Sequence, residues 1–350
     1  MNDTAASSLT PSTPKRTLLV TGGAGFIGSW FVRYILENEP QTSIVNLDLL
    51  TYAGNLDNLS SIEGHPRYEF IHGDITDKAL VRSLMNRVDI CVNIAAQTHV
   101  DRSIDGPDVF ISTNVVGTQT LLEAARLAGI QKFIQVSTDE VYGSLGSTGA
   151  FTETSPLDPS SPYSASKTSA DLLVMSYFKT YGLPVCITRC SNNYGPYQYP
   201  EKLIPRFVLN AMAGKQLPVY GDGLNVRDWI HVSDHNRALA LVMNQGQPGE
   251  IYNIGANNEQ SNLSITKCIL QTLDKPESLI TFVEDRLGHD RRYAIDSNKI
   301  QTQLGWQPTV NFDQGLEETI LWYGKNPEWV RRLEQRLARE TQTVAARSSK

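Results

Sequence analysis

A chain of 350 residues is long for one minimal core and short for three domains, so one large α/β unit with a smaller companion is expected. Its net charge of −6 comes without a basic block able to track a phosphate backbone, which argues against nucleic acid as a partner. No apolar run approaches the roughly 20 residues of a membrane span, so no membrane partner is expected either. Residues 1–16 are rich in Ser, Thr and Pro and place Lys15 and Arg16 last. That order is wrong for a signal peptide and reads as a disordered tail. The four cysteines lack metal-type or CxxC spacing and three lie in apolar runs, which fits a reduced, cytoplasmic protein with no metal.

The first ordered run, Thr17–Thr21, predicts a strand, followed by a glycine turn and an apolar-periodic helix over Phe26–Leu36. Further strands are expected at Ser43–Asp48, Tyr68–His72, Asp89–Ile94, Lys132–Ser137 and Pro184–Arg189. Helical patterns occupy Lys78–Asn86, Val109–Ala128 and Tyr163–Tyr181. Strands alternating with helices predict an α/β fold with a doubly wound parallel sheet. After residue 190 the character changes. Residues 191–206 are dense in Asn, Tyr, Gly and Pro and read as a loop lining a site. Residues 17–190 are therefore expected to form the sheet domain, with segments near 229–254 (Trp229–Val232 or Glu250–Ile254) returning to it. Residues 191–335 are expected mainly to form a smaller α/β domain over the sheet's carboxyl edge. A charged helix begins near Glu328, and 336–350 read as a polar tail.

Thr21-Gly-Gly-Ala-Gly-Phe-Ile-Gly28 ends a strand and opens a helix. Chemistry that needs a tight turn, close backbone approach to a pyrophosphate and free helix-start amides takes this form, the Rossmann dinucleotide loop. Gly22, Gly25, Phe26, Ile27 and Gly28 are its candidate contacts. Asp48 ends the second strand about 20 residues on, where a carboxylate accepts from a ribose 2′-hydroxyl and disfavours a 2′-phosphate. NAD is therefore the expected cofactor. Asp74 follows the third strand, and Ala95, Ala96 and Gln97 follow the fourth.

Pro162-Tyr-Ser-Ala-Ser-Lys167 sets Tyr163 and Lys167 at i and i+4, on one helix face. An ammonium beside the phenol is expected to lower its pKa, so that Tyr163 takes the proton from a sugar hydroxyl as hydride leaves. Thr138 closes the fifth strand, where its hydroxyl can orient the substrate oxygen. With these motifs in this order, the chain from about Thr17 to Trp306 resembles the extended short-chain dehydrogenases/reductases of the nucleotide-sugar branch.

Val136-Ser-Thr-Asp-Glu-Val-Tyr-Gly143 narrows the resemblance. Epimerisation at one carbon needs no side-chain acid and base here, whereas loss of water across two carbons needs both. The string is similar to that of the dTDP-glucose 4,6-dehydratases. This resemblance implies Asp139 as acid, Glu140 as base, and Tyr163 as base for the C4 hydroxyl. It further implies cofactor contacts at Leu49, Leu50, Thr51, Ile75, Thr113 and Asn193, and a homodimer built through the helices at Val109–Ala128 and Tyr163–Tyr181. The implied substrate is dTDP-glucose. Thr98-His-Val-Asp-Arg-Ser103 is similar to the family's substrate-side loop. Arg189–Gln198 and Glu201–Arg206 resemble its interdomain segment, and Asn225–Trp229 and Asp285–Tyr293 its diphosphate clamp. Lys202, Arg227, Arg286 and Arg292 are the cations a pyrophosphate needs. His99, Thr138, Asn192, Leu203, Pro218, Tyr220, Asn262, His289 and Tyr293 complete the implied substrate set. The chain departs from the family pattern at Gln97, where many members have Glu, and at Leu287, where Pro is usual. A catalytically silent NAD-binding regulator would be expected to lack Tyr163, Lys167 or the acidic pair, and all are present.

Overall fold

The computed structural model describes residues 15–285 and 288–336. The expected tails, apart from residues 15, 16 and 336, lie outside the described residues, as do Arg286 and Leu287. Strand β1 (Arg16–Thr21) begins one residue before the apolar run, followed by α1 (Phe26–Asn38), β2 (Thr42–Asp48) and β3 (Tyr68–His72). Next come α2 (Lys78–Met85), β4 (Ile90–Asn93), α3 (Val100–Asp105) and the single turn α4 (Asp108–Phe110). The chain continues through α5 (Thr118–Ala128), β5 (Lys132–Thr138), α6 (Pro162–Tyr181) and β6 (Val185–Cys190).

The later segments are β7 (Asn192–Tyr194), α7 (Leu203–Met212), β8 (Leu217–Tyr220), β9 (Val226–His231) and α8 (Val232–Gln245). After these come β10 (Glu250–Ile254), β11 (Glu259–Ser261), α9 (Asn262–Thr272) and β12 (Ile280–Val283). The final elements are α10 (Asn298–Leu304), α11 (Phe312–Lys325) and a helix over residues 327–336.

Seven parallel strands form the main sheet in the order β10-β6-β5-β4-β1-β2-β3. Alternation along β1 explains why both faces are covered. Leu18 and Val20 pack with Phe31 and Ile35 of α1, Leu239 of α8 and Trp306. Leu19 points the other way, to Val81 of α2, Leu121 of α5 and Val174 of α6. Strand order reverses between β1 and β4, and the loops leaving their carboxyl ends part there to open a crevice.

Four expectations need correction. The pattern over Val109–Ala128 is not one regular helix, because residues Ile111–Gly117 wind as a π-helix before α5 begins. The segment Thr98–Ser103 contains α3, with His99 as its N-cap accepting from the Arg102 amide at 3.3 Å. Residues 191–206 are not a plain loop, since they supply β7 and the start of α7. Trp229 does not return to the main sheet. Its strand β9 pairs with β7 and β11, and it is β10 that rejoins the parallel sheet beside β6. The remaining elements close over a separate apolar cluster containing Phe207, Trp229, Ile269, Ile320 and Tyr323.

Candidate active site

At Gly22 the backbone takes φ of 72°, and a Cβ would lie 2.7 Å from the Ala95 backbone. A Cβ on Gly28 would lie 2.2 Å from the Gly22 carbonyl oxygen, so α1 starts directly against the turn. Gly25 caps α1 without a side-chain acceptor. Helix starts leave their first amides, here those of Phe26, Ile27 and Gly28, without intrahelical partners. Gly22, Gly25, Phe26, Ile27, Gly28 and Ala96 line a crevice whose empty volume is about 1120 Å³ including its mouth. A side-chain-free cradle under an uncapped helix start suits a pyrophosphate, so these residues fit a dinucleotide.

Tyr163, Lys167 and Asn193 also line this crevice, whereas Asp48, Leu49, Leu50, Thr51, Asp74, Ile75, Ala95, Gln97 and Thr113 lie around it without lining it. Asp48 is buried, and its two oxygens accept from the amides of Ala24 (2.9 Å) and Leu50 (2.8 Å). Burial holds its carboxyl above the usual range, while those amides pull the other way. Leu49 is exposed, Leu50 adopts φ of 52°, and the Thr51 carbonyl accepts from Gly54. Asp74 accepts from the Thr76 amide, and Ile75 packs on Gly117. The Ala95 amide donates to Thr21 Oγ1. Gln97 exchanges two hydrogen bonds with Asn114, its amide donating at 2.9 Å and its carbonyl accepting at 3.0 Å. Thr113 precedes Asn114 in the π-helix and is half-buried.

Ser161 and Pro162 start α6 with a capping box and a proline in the first turn, which fixes where the helix presents Tyr163 and Lys167. Both are buried. The expected direct effect of the ammonium on the phenol is not what the geometry gives. Lys167 Nζ extends to β5 and donates to the Val136 carbonyl at 2.7 Å. Burial, then Glu140 and Cys190, hold the Tyr163 phenol well above its ordinary pKa, with a hydrogen bond to Thr138 opposing them. Burial also lowers the Lys167 pKa, and Asp171 one helical turn on works against that.

Asp139 and Glu140 begin a tight helical turn capped by Thr138 Oγ1, which accepts from the Glu140 amide at 3.3 Å. Their surroundings differ sharply. Asp139 is 2 % exposed, and its Oδ2 has no hydrogen-bond partner among the described residues. Burial, reinforced by the charges of Glu140 and Asp228, raises its pKa well above the ordinary carboxyl value, which favours the protonated form. Glu140 is only half-buried, and it lines both the crevice and a second cavity.

That second cavity, of about 1090 Å³ empty volume including its mouth, lies between the two units. It gathers His99, Asn192, Lys202, Leu203, Pro218 and Tyr220. Arg227, Asn262, His289 and Tyr293 complete its wall. Asn192, Asn193 and Lys202 belong to both spaces, so the cavities meet at Glu140. Arg227 is buried, donates to the Asp290 carbonyl at 2.9 Å, and sits 4.3 Å from the Tyr293 ring centre. Lys202 Nζ donates to the Thr98 carbonyl at 2.8 Å. Asn193 Oδ1 lies 2.8 Å from His235 Nδ1. Arg292 proves to be no part of this wall. It forms a bidentate pair with Glu259 and donates to the carbonyls of Gly146 and Gly149. Arg286 lies outside the described residues.

Several residues of these cavities were not anticipated from sequence: Ala53, Cys190, Gln198, Tyr199 and Glu201. Nor was the buried ladder beneath them, in which Thr21 donates to Asn93 and Asn93 donates to Thr118 and Gln135. Its signal was available as polar residues recurring inside otherwise apolar strands. Among the described residues, no group of three or more His, Cys, Asp and Glu side chains is arranged to hold a metal ion.

Fold and site together place the chain in a class, the extended short-chain dehydrogenases/reductases, in which a dinucleotide crevice opens onto a sugar-sized cavity. Comparison with known proteins narrows the class further. The family model described as GDP-mannose 4,6 dehydratase matches residues 19–319, and the chain belongs to that family. A dTDP-glucose 4,6-dehydratase of Xanthomonas campestris pv. campestris is 52% identical over 334 residues, covering 90% of this chain and 95% of the relative. A low-salt glycan biosynthesis protein of Haloferax volcanii is 56% identical over 306 residues, covering 87% and 98% respectively. Among solved structures, the dTDP-glucose 4,6-dehydratase of Streptomyces venezuelae, with NAD bound, superposes with a TM-score of 0.89 at 52% identity. That match covers 91% of this chain and 99% of the other.

Proposed function

We propose that this protein is an NAD-dependent dehydratase that converts dTDP-glucose to dTDP-4-keto-6-deoxyglucose. The observation that carries the reading is the contrast between adjacent carboxyls, a buried Asp139 beside a half-buried Glu140 that faces both cavities. Unlike surroundings for two carboxyls are what an acid and a base at one site require. Relatives at about half identity that act on dTDP-glucose support the substrate.

When bound in the crevice, NAD would accept a hydride and return it, and its positive charge would counter the burial that holds the Tyr163 phenol above its ordinary pKa. Tyr163 takes the proton from the sugar's C4 hydroxyl, and Thr138 orients that oxygen. A ketone at C4 acidifies the C5 hydrogen, which Glu140 removes. Asp139 delivers its proton to the departing C6 hydroxyl, so water leaves without a strong base forming. Lys202, Arg227 and, by family resemblance, Arg286 meet the diphosphate. In this reading residues 17–190, completed by α8 and β10, carry NAD, and most of 191–335 holds the nucleotide sugar.

We also read the protein as a cytoplasmic homodimer. Its four thiols are unpaired, which suits a reducing compartment, and exposed apolar side chains on α5 and α6 support the dimer. No helix among the described residues is long and apolar enough to cross a membrane.

The assay is direct. Incubation with dTDP-glucose is expected to yield a product whose alkali-treated form absorbs in the near ultraviolet as a 4-keto-6-deoxy sugar. Formation of dTDP-galactose alone would point to a 4-epimerase and end the dehydratase reading.

A further inference from the structure

The helix over residues 327–336 lies beyond residue 319, where the family match ends, yet it reaches back to the cofactor side of the molecule. Trp329 and Leu333 anchor it in the apolar cluster of the second unit. From there its polar atoms turn to the segment that follows Asp48. Trp329 Nε1 donates to Asn58 Oδ1 at 2.9 Å, and Asn58 Nδ2 donates to the Ala24 carbonyl, within the glycine turn, at 3.1 Å. The Asn55 amide donates to the same carbonyl. Arg336 Nη2 donates to the Gly54 carbonyl at 2.7 Å and approaches that of Thr51 at 3.5 Å. Arg332 pairs with Asp57, but it is half-exposed, so solvent screens that contact.

The segment held in this way forms one lip of the dinucleotide crevice. Ala53 lines the crevice, and Tyr52 crosses toward the sugar side, where its hydroxyl donates to Glu201 at 3.1 Å. Leu50 is tied by its amide to Asp48, the expected ribose ligand. With Ala53 on the crevice wall opposite the glycine turn, a lip held down here would hinder the exit of a dinucleotide lying between them. Lifting the lip breaks the bonds from Trp329 and Arg336.

We propose that the helix of residues 327–336 is a clasp on the cofactor crevice, with Arg336 and Trp329 as positioning residues that hold the lip closed over bound NAD. The proposal rests on the reading of NAD as the cofactor. Slow release suits a reaction in which the hydride taken from C4 returns to C6, because the cofactor then has no need to exchange between turnovers.

The test uses the full chain, loaded with NAD and mixed with excess ADP-ribose as a trap, with release followed by stopped-flow fluorescence. Arg336→Ala is expected to release NAD about tenfold faster, consistent with losing a charge-assisted hydrogen bond. Trp329→Phe keeps an aromatic ring in the cluster but loses the indole donor and part of the buried surface, and about threefold faster release is expected. Arg331→Ala serves as the control, because Arg331 is exposed on the same helix and, among the described residues, pairs with Glu328 nearby. Its release rate should stay within twofold of the parent. Affinity for dTDP, which enters the other cavity, should stay within twofold in all three variants, a result that general loosening would not give. Release rates for Arg336→Ala and Trp329→Phe equal to the parent's would overturn the clasp while leaving the cofactor reading intact. Parallel loss of dTDP affinity would overturn it as well. A parent protein that holds no NAD would remove the cofactor reading and the clasp together.

Discussion

At the scale of single residues, Asp139 shows a function bought against stability. A carboxyl at 2 % exposure, with one oxygen lacking a partner among the described residues, is an unfavourable group to fold around. Its folded pKa lies well above the ordinary 3.8. The unfolded chain therefore releases this proton at lower pH than the folded one does. Stability from Asp139 is fully present below about 3.8 and is lost as pH rises toward the folded value. Asp139→Asn removes the titration. Its melting temperature, relative to the parent's, should therefore increase from pH 4 to pH 8 while dehydration is lost. A difference that stays constant with pH would show that the group is not held protonated. The pairing of Asp139 with Glu140 was legible in sequence, but not the field around Asp139, because Asp228 and Arg227 reach it from β9. Arginines likewise look alike in sequence. Arg227 and Arg292 both belonged to the expected clamp, and only their partners separate a cavity wall from a surface pair.

At the scale of elements, strands and the glycine turn were legible because they follow strong local rules. A short β-branched run bounded by Gly or Asp has few other readings. The π-helix was not legible, because one extra residue per turn scarcely disturbs an apolar stripe over seven residues. Its consequence lies in Asn114. The wider turn lets its side chain bond both backbone groups of Gln97, at the end of the β4 loop, and donate to Ser166 of α6 at 2.8 Å. That one amide thus fixes the cofactor side of the site to the helix carrying Tyr163. β7 escaped for a different reason, since three residues carry no periodicity. We expect Asn114→Leu, similar in volume, to cost about 2–4 kcal/mol in urea denaturation, because it strands buried groups of Gln97. Turnover should fall as well. A loss below about 1 kcal/mol would mean the contact is solvated rather than buried.

At the scale of the whole molecule, the sheet is covered on both faces within one chain, yet its outer helices are not wholly polar. Leu127 of α5 is 52% exposed and Leu172 of α6 is 59% exposed. Val109, Ile111 and Val116 extend the same apolar character toward the start of α5, and Tyr181 lies at the end of α6. Adjacent helices presenting large apolar side chains outward form half of a helix bundle, which a two-fold related copy would complete. Because α6 also carries Tyr163 and Lys167, the pairing would brace the site from behind. Placing a charge at the centre of such an interface leaves it buried and unpaired in the dimer but solvated in the monomer. Leu172→Glu should therefore convert a particle of twice 38.8 kDa into one of 38.8 kDa by light scattering, with the fold retained by circular dichroism. If the parent already elutes at 38.8 kDa, the apolar face serves another purpose and the homodimer is wrong.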